Sequence, residues 1–178
     1  MISLKNATLR SSESYRQCPN LQERPINPAS FPEVRRSAEE LFASGLFCAE
    51  SVILAIANAR GVESEILPRI ATAFCSGMAR SCGTCGALTG AIMGVGLALG
   101  RANPFESVEP CYRATQRLIQ EFEREFGSRD CHVLLDDCDL STPEGQARFK
   151  AQRLGKRCLA FTGKAAEIAA RVISESGS

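Results

Sequence analysis

Tryptophan is absent from this chain, histidine occurs once and tyrosine twice. With His132 as the lone imidazole, no Ser–His–Asp set can be assembled, and no glycine loop follows a strand to cradle a phosphate. Charge of one sign is also missing: 21 Lys and Arg stand against 20 Asp and Glu. Without a basic patch or stripe, nucleic acid is not an expected partner. Nothing alternates with period two for long enough to make a strand, which leaves an all-α fold. No apolar run reaches the ~20 residues that span a bilayer, so no membrane span is expected. The longest uncharged stretch, Gly86–Gly100, reads instead as a buried central helix. Its Gly86, Gly90 and Gly94 recur every four residues, as they do where a neighbouring helix packs closely. Glycine inside a helix costs up to ~1 kcal/mol relative to alanine, so their presence predicts that close approach is needed. Finally, Met1–Arg10 has no apolar segment that could serve as a signal peptide. A secreted disulfide scaffold is therefore disfavoured and a cytoplasmic location expected.

Cysteine, by contrast, is abundant. The chain holds nine, an odd number, and in a reducing compartment such a load points to metal or thiol chemistry. Four of them, Cys48, Cys85, Cys131 and Cys158, stand where helices should begin. Three head an apolar row with steps of three and four: Leu88, Ile92, Val95 and Leu99 after Cys85; Phe161, Ala165, Ile168 and Val172 after Cys158; Val52, Ala55 and Ala59 after Cys48. Each of these thiols is the first rung of a buried stripe. A helix N-terminus carries unpaired N–H groups and about half a positive charge, which stabilise a thiolate. Cys85, opening a glycine-rich helix, is thus expected to ionise below the free thiol value of about 8.5.

One helical domain, residues 31–178, follows a polar tail of residues 1–30 that is expected to be loosely ordered. Cys18 lies in the tail and reads as incidental. The first helix should start at Ser30 as N-cap, with Pro32 in the first turn and Glu33 completing a capping box, and end before Gly45. A second runs from Cys48 to Gly61, a short one follows Pro68, and the central helix starts at Cys85. Ser107–Phe126 is the most regular segment, with Val108, Cys111, Tyr112, Leu118, Ile119, Phe122 and Phe126 on one face. Cys111 there reads as core. Ser141-Thr142-Pro143-Glu144 opens another helix with a capping-box pattern, and the last runs from about Lys156 to Ser174. The result is a single bundle of six to seven helices around the glycine-rich one. Up–down connections bring Cys48, Cys85 and Cys131 to one end of such a bundle; the position of Cys158 is underdetermined. Asp136, Asp137 and Asp139 read as a solvated loop.

Cys85-Gly86-Ala87-Leu88-Thr89-Gly90 is a CGAxxG motif, with Cys48 upstream and Cys131 and Cys158 downstream. The turn Asp139-Leu140-Ser141-Thr142-Pro143-Glu144-Gly145 lies between the last two. In these features the chain resembles the C_GCAxxG_C_C family of redox-active proteins over residues 37–172. The resemblance implies electron-transfer or other redox work. Where glycine would be expected before the motif, this chain has Cys75 and Cys82, so these are secondary candidates.

Two mechanisms stay open. In one, Cys48, Cys85, Cys131 and Cys158 ligate an iron–sulfur cluster, [2Fe–2S] or [4Fe–4S], whose charge is offset by helix N-termini and by backbone near Gly83, Gly86 and Gly90. In the other, Cys82-Gly83-Thr84-Cys85 is a C-x-x-C thiol–disulfide centre. Zinc fits less well, because structural zinc sites usually take cysteines in close pairs, and purely structural cysteines remain a further reading. His132, next to Cys131, is expected near the site as a hydrogen-bond donor rather than a ligand. Electron transfer would require a redox partner protein, and the sequence is compatible with an oligomer.

Overall fold

Six helices of nine residues or more, joined by three short ones, build the structure, a computed structural model that describes residues 25–176. They are α1 (Phe31–Ala43), α2 (Cys48–Ala59), α3 (Ile66–Ala71), α4 (Cys75–Arg80), α5 (Gly86–Leu99), α6 (Glu109–Phe126), α7 (Cys131–Leu134), α8 (Pro143–Ala151) and α9 (Gly155–Ser176). Among the described residues there is no strand, only an isolated antiparallel bridge between Thr84 and Asp130. The fold is an all-α bundle, and no described helix is long and apolar enough to cross a membrane.

The centre is made by α2, α5 and α9, which pack on one another; α1 and α6 add outer faces against α9. Small residues decide this. Helix α9 buries Ala165, Ala166, Ala169 and Ala170 beside Phe161, Ile168, Val172 and Ile173. On α5 the glycine row faces α2: a Cβ on Gly90 would lie 2.5 Å from the Ala49 carbonyl oxygen, and one on Gly94 2.4 Å from Ile56 Cδ1. The close approach expected from the spacing is therefore real, and α5 is buried through most of its length up to Val95. Outside that helix, Phe126 bridges Phe122 and Phe161 with ring centroids 4.9 and 4.8 Å away, tying α6 to α9. Tyr112 departs from expectation: it is exposed, since burial along α6 begins only at Ala114.

Two helix starts differ from the sequence reading: α3 begins at Ile66, so Pro68 lies in its first turn rather than before it, and α1 is capped differently. Ser30 makes no side-chain cap; it closes a 3-10 turn, Pro28–Ser30, whose cap is Asn27, with Ala29 N–H donating to its Oδ1 at 3.0 Å. Thr142 is a true cap, its Oγ1 accepting from Gly145 N–H at 3.0 Å. Thr142→Ala should thus lower unfolding stability by about 1 kcal/mol, whereas Ser30→Ala should change it by a few tenths at most; paired denaturant titrations check both. Residues 1–24, most of the expected tail and with it Cys18, lie outside the described residues. Ile26, just beyond them, is buried against the bundle.

Candidate redox site

The four helix-start cysteines line one cavity of about 500 Å³. Cys48 is the first residue of α2 and Cys131 of α7, Cys85 is the N-cap of α5, and Cys158 sits in the first turn of α9. Cys48, Cys85 and Cys131 are buried and Cys158 is half-buried. Their convergence follows from the connections. After α5 runs out and α6 returns, Cys85 N–H donates to Arg129 O at 2.8 Å and Cys131 N–H to Gly83 O at 2.9 Å. This two-bond clasp fixes the third thiol beside the second. The position of Cys158, left open by topology, is settled by α8. That helix borders the cavity with Gln146, Phe149 and Lys150, so α9 begins there too.

Glycines make room for the sulfurs. A Cβ on Gly86 would lie 2.3 Å from Cys48 Sγ, and one on Gly77 would lie 2.6 Å from Cys131 Cβ and 3.1 Å from its Sγ. Gly77 belongs to α4, which the sequence reading missed. Its residues Ser76, Gly77, Met78, Ala79 and Arg80 all have positive φ, between 55° and 68°. Such a left-handed turn costs roughly 1–2 kcal/mol per residue carrying a Cβ. It is held by Gly77 O, which accepts from Ser81 N–H at 3.2 Å and Gly83 N–H at 3.1 Å. Only the glycine at its centre could have hinted at it.

The remaining candidates separate clearly. Cys82 does not line the cavity; its thiol donates to Asp139 Oδ1 at 3.2 Å, and that hydrogen bond pushes the thiol pKa up. Asp139 is accordingly no solvated bystander: the same oxygen accepts from Ser141 N–H at 2.8 Å and Ser141 Oγ at 2.6 Å. Asp136 and Asp137 are exposed, as expected. His132 faces Asp137, with Nδ1 3.4 Å from Oδ1, and does not line the cavity. Cys111 is partly buried and packs against the core. Cys75 is buried beside Cys48, and Cys138, which sequence reasoning passed over, is buried with its thiol 3.2 Å from Gly145 O. All described cysteines are free thiols.

Burial governs the electrostatics. It pushes the Cys85 thiol up to about 12, with the neighbouring Cys131 adding to the rise. Burial first and a neighbouring thiol second also push Cys131 to about 11, the neighbour being Cys82, and Cys158 to about 12, the neighbour being Cys85. The expected activation of Cys85 is therefore overturned. The α5 N–H groups of Ala87 and Leu88 do favour its thiolate, but they are outweighed by the loss of water. Without a cation to hold, Cys85, Cys131 and Cys158 keep their protons at pH 7. Among the described residues no three Cys, His, Asp or Glu side chains stand close enough to bind one metal ion. A single zinc would require the thiols to draw together. Four thiols are the number that a [2Fe–2S] or a [4Fe–4S] cluster takes, and four line this cavity.

The sequence model of the family described as "Putative redox-active protein (C_GCAxxG_C_C)" matches residues 46–172. Among curated proteins and solved structures, no match is found.

Proposed function

Because the chain belongs to the C_GCAxxG_C_C redox-active family, we propose that it is an electron-transfer protein whose Cys48, Cys85, Cys131 and Cys158 hold an iron–sulfur cluster. The observation that carries this reading is that four sulfurs from four helix starts share one cavity. When bound, the cluster supplies a redox couple whose potential is set by its charge, its hydrogen bonds and its exposure. The chain supplies the rest. Gly86 and Gly77 leave space at Cys48 and Cys131, while the Ala87 and Leu88 N–H groups stabilise negative charge at Cys85. Phe42, Phe149 and Phe161 give the cavity apolar walls, which lower the dielectric around the sulfurs. At its rim Arg80 and Lys150 are exposed, two cations suited to steering an acidic redox partner protein. A reducing cytoplasm fits free thiols of this kind. The Cys82-x-x-Cys85 alternative draws less support, because Cys82 turns to Asp139 and leaves the cavity.

Anaerobic purification followed by iron and acid-labile sulfide analysis tests this reading. Iron and sulfide should be present in equal amounts with visible absorption. Serine at 48, 85, 131 or 158 should each remove most of the iron, whereas Cys82→Ser and Cys111→Ser should keep it. Colourless, iron-free protein after anaerobic reconstitution with iron and sulfide would refute the reading, as would loss of all iron in Cys82→Ser.

A further inference from the structure

Cys75 lies directly behind the cavity. It follows the 3-10 turn Thr72–Phe74 and is 3% exposed. Cys75 stands beside Cys48, the first residue of α2. Its thiol donates to Ala71 O at 3.6 Å. Both cysteines press on one point of α5: a Cβ at Gly86 would meet Cys48 Sγ at 2.3 Å and Cys75 Cα at 3.1 Å. The absence of that Cβ is what lets the two approach. Glu50 braces the same turn, its carboxylate accepting from Phe47 N–H at 2.7 Å and Thr72 Oγ1 at 2.6 Å. Cys48 lines the cavity and Cys75 does not. One sulfur therefore meets small molecules that enter, and the other waits behind it.

We infer that Cys48 and Cys75 are a modification site, a dithiol that a hydroperoxide converts to a disulfide. The Cys48 sulfur attacks the terminal peroxide oxygen, the O–O bond breaks, and an alcohol leaves with the thiol proton, giving a sulfenic acid. The Cys75 sulfur then attacks the Cys48 sulfur. The S–O bond breaks, and the hydroxyl leaves as water with the Cys75 proton. Two electrons pass from the two thiols to the peroxide, and a dithiol reductant reverses the change. The disulfide turns Cys48 away from Cys85, Cys131 and Cys158; on the cluster reading, that takes one ligand from the set.

The test uses the full chain, purified without air, reduced, and treated with equimolar hydrogen peroxide before alkylation and peptide mass mapping. A Cys48–Cys75 linked peptide should be the main crosslink and should vanish on reduction with dithiothreitol. In Cys75→Ser the link should be lost, and Cys48 sulfenic acid trapped by dimedone should rise severalfold. Crosslinks joining Cys48 to Cys85, Cys131 or Cys158 instead, or oxidation confined to Cys82, would overturn the inference. Iron is assayed in the same samples. A linked pair in protein that never binds iron keeps this inference while the cluster reading fails, and iron-binding protein that yields no linked pair overturns this inference alone.

Discussion

Gly90→Ala should destabilise the protein by about 1–3 kcal/mol or more, while Gly96→Ala in the same helix should stabilise it by about 0.5–1 kcal/mol. The two substitutions add the same methyl group to the same glycine-rich helix. At Gly90 the new Cβ would meet Ala49 backbone, 2.5 Å from its oxygen, 2.8 Å from its Cα and 3.0 Å from its carbonyl carbon. Backbone cannot rotate aside as a side chain does, so α2 and α5 must separate, and the cavity that both helices border would widen. At Gly96 nothing lies within 4 Å, which leaves only alanine's better helix propensity. Urea titrations of both variants measure the difference. Equal effects would mean that α2 and α5 do not touch along the glycine row.

In the metal-free, reduced protein, unfolding stability should hold steady up to about pH 8 and then fall steeply between pH 9 and 11. Cys85, Cys131 and Cys158 ionise near 12, 11 and 12 in the fold, well above an ordinary thiol. In that window the unfolded chain has lost these protons and the folded chain still holds them. Raising the pH therefore favours unfolding, by about 1.4 kcal/mol per pH unit for each thiol. Denaturant titrations at several pH values read the slope, and Cys85→Ser should make it shallower. A slope unchanged by that substitution would show that the thiol is better solvated than its surroundings imply.

Much of this molecule was legible in the sequence because local rules wrote it. The apolar rows behind Cys48, Cys85 and Cys158, the turn at Ser141–Pro143 and the helix-ending glycines fixed the all-α class and most boundaries to within a few residues. Up–down alternation placed three of the helix-start cysteines at one end. Cys158 could not be placed that way, since its location depends on how α8 lies against the cavity, a tertiary choice with no periodic signature. The Cys85 ionisation was misread for a related reason. Its helix N-terminus is visible in the sequence, but the depth of its burial is not, and burial was the larger effect. Ser30 failed as a cap because Asn27, three residues earlier, captures the chain first. The left-handed turn at Ser76–Arg80 runs against the preference of every residue in it except Gly77. Its hydrogen bonds to Ser81 and Gly83, and its fit against Cys131, are what impose it.

That dispersal of the cavity along the chain bears on how the protein is made. Close-spaced cysteines such as C-x₂-C-x₂-C present several ligands on one short piece of nascent chain. Here the ribosome releases Cys48 and Cys85 long before Cys131, and Cys158 comes with α9, the helix on which α1, α2, α5 and α6 all pack. Until α9 docks, the fourth cysteine and its side of the cavity are missing. On the cluster reading, a centre held by all four thiols would be completed only after that helix is made, separate in time from translation of the first two cysteines.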